Sequence, residues 1–388
     1  MRTLGGHGSS DRLSRCGRTG IKWPVIAGSV WVCLLAAAAG EAAIESDSGE
    51  PSLICESCHS QIFDEWKGSP HAISWEDSLF QDMYAAIRAK DGGVECLSCH
   101  APVALKSGDR LVMEGASGEG VNCDYCHTLQ AIPEPVGDLR YESRPGKVKV
   151  GRAGEGRSIY HGIVGDDGFG GASYCATCHH FRNPYGVLIY SEYESWSASP
   201  YRERGTTCRD CHMPERTGKA SNYGPVRVDC SDHRFSGWRS IELLRQACTF
   251  AADLTVTADS IWIRTTLKNH GAGHKFPGGV PIRELVVQIL GRDSSGGTIF
   301  KDRSIRYGVE FEMPEGDSLN VWEARSIIRD TRLDPGERRL GVAGFPLRQD
   351  LRKVEVSLLF YPIPLKLIEA RKREYEPMVI DRKVLTVR

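Results

Sequence analysis

The sequence predicts an α+β fold whose two halves differ in texture. An N-terminal half of short helices and loops is packed around prosthetic groups, and a C-terminal half forms an antiparallel β-sandwich-like domain. Three observations carry this expectation. Ten of the 14 cysteines fall in five copies of one short pattern between Cys55 and His212. That span shows few long amphipathic periods, so its side chains alone make a poor core. After Cys248 cysteine disappears, and alternation of apolar and polar residues begins.

The five copies are Cys55-Glu-Ser-Cys58-His59, Cys96-Leu-Ser-Cys99-His100, Cys123-Asp-Tyr-Cys126-His127, Cys175-Ala-Thr-Cys178-His179 and Cys208-Arg-Asp-Cys211-His212. C-x-x-C-H reads as a c-type haem attachment site. Two thiols at i and i+3 each form a thioether to one porphyrin edge, and the next residue falls under the iron as its proximal ligand. With 14 Cys and 12 His in 388 residues, random placement gives roughly 0.02 such motifs. A zinc pair or a redox C-x-x-C does not explain why His follows every time. The expected cofactor is therefore haem c, five copies, covalently attached. From Cys55 to His212 there are 158 residues, so the porphyrins themselves supply much of the core.

What occupies the sixth coordination position decides the chemistry. An open face binds small molecules, whereas a second His closes the iron for electron transfer at lower potential than a Met would set. Six further histidines follow the leader-like segment: His71, His161, His180, His233, His270 and His274. Five are needed, and the expected distal set is His71, His161, His180, His233 and His274. His180 adjoins a proximal His and cannot grip the opposite face of the same iron, so it must serve a neighbour. His270 and His274 share the loop Asn269-His-Gly-Ala-Gly-His-Lys-Phe-Pro-Gly-Gly; His274 is preferred and His270 reads as a solvated loop residue. Met213 follows its own proximal His and reads as packing. Trp66-Lys-Gly-Ser-Pro-His71 is echoed by Trp196-Ser-Ala-Ser-Pro-Tyr201, where Tyr201 keeps the fold without the ligand.

Residues 1–42 read as a signal peptide: basic residues, an apolar run from Trp23 to Ala39, then small residues around Ala42-Ala43. The run is short for a membrane span of about 20 residues. Contact with a membrane is thus expected to be peripheral unless the segment is retained. Without it the chain keeps 44 basic and 48 acidic residues, a net charge of −4, which gives no reason to expect nucleic acid as a partner. Export to the periplasm or beyond agrees with haem attachment outside the cytoplasm. Residues 43–248 are the expected pentahaem domain and 249–388 the sandwich-like one.

Within the first domain, Gln61–Ala89 is the best helical stretch, broken at Ser69-Pro70. Residues 129–172, rich in Pro and Gly, read as a long loop. In the second, strands are expected around Leu254–Ala258, Ile261–Leu267, Leu285–Ile289, Val354–Phe360 and Leu385–Val387. Cys230 and Cys248 are the spare cysteines, expected to pair in an oxidising compartment and contribute about 3 kcal/mol.

Together, EWKGSPHA after the first motif, Cys-His-His-Phe at 178–181, and EYESWSASPY leading into CRDCHMP resemble the exported cytochrome c-554-like family. GAGHKFPGG, DTRLDPGE and VEVSLLFYPIP are similar to the tail of its larger members. The resemblance implies bis-His haems in closely packed pairs and electron transfer between partners, here redox proteins or quinol-linked reductases. Haem count departs from the small founding member, so iron-to-His pairings do not carry over. Two alternatives stay open. One is an oxidoreductase acting on a small nitrogen or sulfur compound at one open haem, although the C-x-x-C-K of pentahaem nitrite reductases is missing. The other is a subunit of an extracellular cytochrome filament, a homo-oligomer in which one copy's His completes a neighbour's haem.

Overall fold

The structure, a computed structural model, describes residues 49–112, 115–136, 139–152, 156–314, 320–365, 368 and 376–387. The expected leader, residues 1–42, lies outside them. Residues Glu45–Arg388 form one compact unit. The fold is α+β, and nearly all strand pairs are antiparallel.

Each motif sits on a short helix: Ser52–Trp66, Val94–His100, Cys123–His127, Ala172–His179 and Cys208–His212. One helical turn brings cysteines at i and i+3 to the same face. Four of these helices stop at the motif histidine, and the first leaves helical geometry there, with His59 at φ −122° and ψ 39°. Two of the five are sealed at the start by a side chain. Asn122 accepts from the Tyr125 N–H at 2.8 Å, and Thr207 forms a capping box with Asp210.

The broken helix expected over 61–89 is two helices, Ser52–Trp66 and Ser78–Asp91. Asp77 starts the second by accepting from the Phe80 N–H at 3.0 Å, and Gly92 ends it in the left-handed region at φ 85°. The long loop expected over 129–172 is not observed. That stretch makes a hairpin, Leu129–Val136 with Leu139–Ser143, and a parallel pair, Val148–Gly151 with Gly162–Gly165. Pro133 and Pro135, which lack N–H donors, fall where the hairpin register shifts between Ala131 and Val136.

Beyond residue 248 alternation becomes two sheets. One runs in the order Cys248–Val256, Ser260–Asn269, Arg338–Pro346. The other runs Thr298–Asp302, Glu284–Arg292, Lys353–Tyr361, Met378–Thr386, with Arg306–Tyr307 also on Glu284–Arg292. Phe250, Ile261, Ile263 and Leu267 of the first share one buried cluster with Leu285, Val287, Ile289, Val354, Val356 and Leu358 of the second. The two sheets thus pack face to face around one core. The Cys-rich half has a much smaller apolar cluster, centred on Tyr84, Leu97, Ala101, Ala104 and Val112.

The two halves are tied by buried polar contacts. The Asn183 side chain donates to the carbonyls of Trp322 and Ala324 at 3.1 and 2.8 Å. Glu192 accepts from the Gly279 N–H at 2.7 Å. Cys230 and Cys248, expected to form a disulfide, are buried free thiols. Each has its own backbone acceptor, Cys230 on Gly218 O of the facing strand at 3.4 Å and Cys248 on Leu244 O of the preceding helix at 3.8 Å. Among the described residues no helix is long and apolar enough to cross a membrane.

Ile263 is fully buried and its neighbour Arg264 is exposed on the same strand. Ile263→Ala is expected to destabilise the fold by about 2–5 kcal/mol, and Arg264→Ala by no more than about 0.5 kcal/mol. Chemical denaturation followed by far-UV circular dichroism measures both; equal losses would mean the strand does not face the core this way.

Candidate haem-binding site

One cavity of about 2230 Å³ runs through the Cys-rich half and reaches the sandwich. A pocket for a single small ligand rarely exceeds about 1,000 Å³, so this space is built for several large groups. All ten motif cysteines and all five motif histidines line it. Four further histidines join them: His71, His161, His233 and His274.

These four face four of the motif histidines across the cavity. Ring centroids are 6.2 Å apart for His59 and His161, 6.2 Å for His179 and His71, 6.5 Å for His127 and His233, and 6.2 Å for His212 and His274. Two imidazoles on opposite sides of one metal, each at about 2.0–2.1 Å through nitrogen, give a centroid separation of about 6 Å once the rings are included. The spacing therefore fits an iron between each pair.

Orientation agrees with the spacing. The Nδ1 of a ligating imidazole normally donates to a carbonyl, which fixes the tautomer and leaves Nε2 for the metal. His59 Nδ1 meets Ala220 O at 2.5 Å, His100 Ser74 O at 2.9 Å, His127 Val150 O at 2.8 Å and His212 Ser236 O at 2.6 Å. Among the facing set, His161 meets Gly162 O at 3.1 Å, His233 Ser231 O at 2.9 Å and His274 Lys275 O at 2.9 Å. Burial pulls the His71 pKa down to about 3 and the His127 pKa to about 4, with neighbouring imidazoles adding to it. Both rings are thus held in the neutral, ligating form.

The remaining expected residues are placed differently. The His100 ring stacks flat on Phe80, centroids 3.6 Å apart, and belongs to none of the four facing pairs. His180 stands edge-on to Tyr193 at 5.9 Å and is not part of the cavity wall. His270 is exposed, and its carbonyl accepts from the Tyr201 hydroxyl at 2.7 Å. Tyr201, the counterpart of His71 in the internal echo, thus braces the loop that carries His274. The carbonyls of Ser74, Val150, Ala220 and Ser236 escape sequence reading because any residue supplies one.

Residues 54–128 match the family described as cytochrome c554 and c-prime. The structure is similar to a penta-heme cytochrome c552 from Thermochromatium tepidum, with a TM-score of 0.70 at 19% identity, over 88% of this chain and 100% of that one. The chain thus shares the fold of that penta-heme cytochrome, and its residues 54–128 carry the match to the c554 family. Two other solved structures overlap about a third of this chain. A β-glucosidase from Kluyveromyces marxianus aligns over 36% of it and 14% of its own length at 15% identity, with a TM-score of 0.19. The putative ApaA protein from Bordetella pertussis aligns over 36% and 89% at 11% identity, also with 0.19. At those scores neither carries an argument. No curated protein is matched.

Along the cavity, thiols of different motifs meet. Cys55 lies within hydrogen-bonding reach of Cys123, Cys99 of Cys178, and Cys175 of Cys208. That contact with Cys178 pulls Cys99 down to about 7. Cysteines of separate motifs are therefore adjacent.

Gly278 explains part of the His274 placement, since a Cβ there would lie 2.5 Å from His274 Cε1. Gly278→Ala is expected to rotate or displace that ring and alter one low-spin signal in the EPR spectrum, leaving haem content unchanged. An unaltered spectrum would mean the His274 position tolerates the methyl group and is not tightly set.

Proposed function

We propose that this chain is an exported pentahaem c-type cytochrome, a conduit that passes electrons between redox partners. The observation that carries the reading is the set of four histidine pairs spanning one cavity into which all five attachment motifs open. In this reading the haems are held by Cys55 and Cys58, Cys96 and Cys99, Cys123 and Cys126, Cys175 and Cys178, and Cys208 and Cys211. The residue pairs that would hold the irons are His59 with His161, His179 with His71, His127 with His233, and His212 with His274. Haem supplies the redox-active iron, and bis-His ligation closes it to exogenous ligands and keeps its potential low. The chain's own part is to keep each imidazole neutral and aimed, and to bring the attachment cysteines of neighbouring groups into contact. The leader-like residues 1–42 support export, because c-type haem is attached outside the cytoplasm.

A second reading is favoured by one observation: among the described residues His100 belongs to no histidine pair at axial spacing. The haem on Cys96 and Cys99 is then the place for an exchangeable ligand, and the cytochrome acts there on a small nitrogen or sulfur compound.

The discriminating experiment is intact-mass measurement for five haems, followed by EPR of the oxidised protein and carbon monoxide addition to the reduced one. The conduit reading, in which a group outside the four pairs closes the haem on His100, expects every haem low-spin and none taking up the gas. One high-spin haem that binds carbon monoxide in the native protein selects the second reading. His161→Ala is expected to convert one additional haem to the high-spin, gas-binding form; if it converts none, His161 is not an axial ligand.

A further inference from the structure

Arg283 is a charged side chain that the haem-binding segment does not contribute. It precedes the sandwich strand Glu284–Arg292 and projects into the cavity wall. Its Nη1 donates to Gly278 O at 3.0 Å, and its guanidinium stacks over Trp238 at 5.5 Å. Gly279 leaves room for it, because a Cβ there would lie 1.9 Å from Nη1. Among the described residues no carboxylate comes within ion-pair distance of it. Arg239 is the contrasting case: it lies 5.2 Å from the same Trp238 ring and is paired with Asp77 at 3.1 Å.

The surrounding charges do not resolve this. Glu192 and Asp77 are the anions of the neighbourhood, and Arg239 is a second cation. Asp77 is engaged by Arg239. Glu192 has one oxygen on the Gly279 N–H and the other buried without a hydrogen bond. Enclosure disfavours the guanidinium charge and pushes its pKa below the ordinary value. Holding a cation in such a place costs several kcal/mol unless an anion meets it. An arginine fork suits a carboxylate, which it can grip through two parallel bonds.

We propose that Arg283 is the anchor and counter-charge for a haem propionate, so that the sandwich domain sets the potential of a haem attached to the other domain. This inference rests on the haem reading of the cavity. The guanidinium is a positioning and tuning group with no part in bond making. Its positive charge favours the reduced iron, so removing it should lower the midpoint potential of that haem. A small oxyanion bound at an open haem is the competing source of the same chemistry.

The experiment is spectroelectrochemical titration of native protein, Arg283→Gln and Arg283→Lys, with haem content by intact mass as an independent readout. The expected result is full haem load in all three, one midpoint lowered in Arg283→Gln, and that midpoint largely restored in Arg283→Lys. Unchanged midpoints at full haem load overturn the proposal while leaving the five-haem reading intact. So does a Gln variant whose only change is a lost spectral response to added nitrite or sulfite, which assigns Arg283 to a substrate anion. If Arg283→Gln fails to assemble, the Lys variant decides: native midpoints in a fully loaded protein support the charge role, and a failure of the Lys variant too makes Arg283 a packing residue. Fewer than five haems in the native protein would instead fail the underlying reading.

Discussion

A neutral imidazole that offers Nε2 to a metal carries its proton on Nδ1, and most of the cavity-lining histidines of this chain are supplied with an acceptor for that proton. Seven of the nine cavity-lining histidines have a backbone carbonyl within 3.1 Å of Nδ1. The carbonyls come from hairpins, turns and loops scattered over the sequence. Ala220 lies 161 residues from His59, whereas Lys275 is adjacent to His274. Irregular backbone, a poor way to fill a core, is a good way to present carbonyls at chosen angles. That suits a segment whose apolar interior is left to its cofactors.

The same need explains why the stretch 129–172 is not a loop. His127 takes its acceptor from Val150, and His161, which faces His59, sits at the start of the parallel pair that contains Val150. A floppy segment would pay the ordering cost of both positions each time a haem is bound. The pairing of Val148–Gly151 with Gly162–Gly165 places the acceptor for one haem site and the facing histidine of another on a single backbone frame.

Much of this was legible in the residues. The attachment motifs, the helix break and the sandwich strands follow from spacing and alternation, because each is a local property. What was illegible is non-local or carried by glycine. The strand Arg338–Pro346 hides behind Gly341 and Gly344, which are poor strand formers. Both are needed for close approach: a Cβ at Gly341 would meet Thr265 Oγ1 at 2.6 Å, and one at Gly344 would meet the Trp262 ring at 2.8 Å. Proline in Leu129–Val136 masked a hairpin in the same way. The free thiols of Cys230 and Cys248 were misjudged because compartment chemistry says that spare cysteines tend to pair, not that these two are neighbours. Which histidine faces which could not be read at all. His71 and His179 are 108 positions apart in the chain, and only the folded path brings their rings to 6.2 Å.

Fusion to a sandwich then has a physical purpose. The helices carrying the motifs run from 5 to 15 residues and share little apolar core, so they cannot hold a ligand loop rigid by themselves. The sandwich has the large core, and its glycine-rich loop sets His274 opposite His212 with Tyr201, Ser195 and Glu192 gripping the loop from the other side. Each of those contacts uses a loop backbone group: the His270 carbonyl, the Lys275 N–H and the Gly279 N–H. The histidine side chain is thereby left to the cavity, while the backbone that carries it is fixed at three points. The two halves, which share no sheet among the described residues, are joined in part through this small loop, and on the proposed reading the geometry of that loop is the geometry of a haem site.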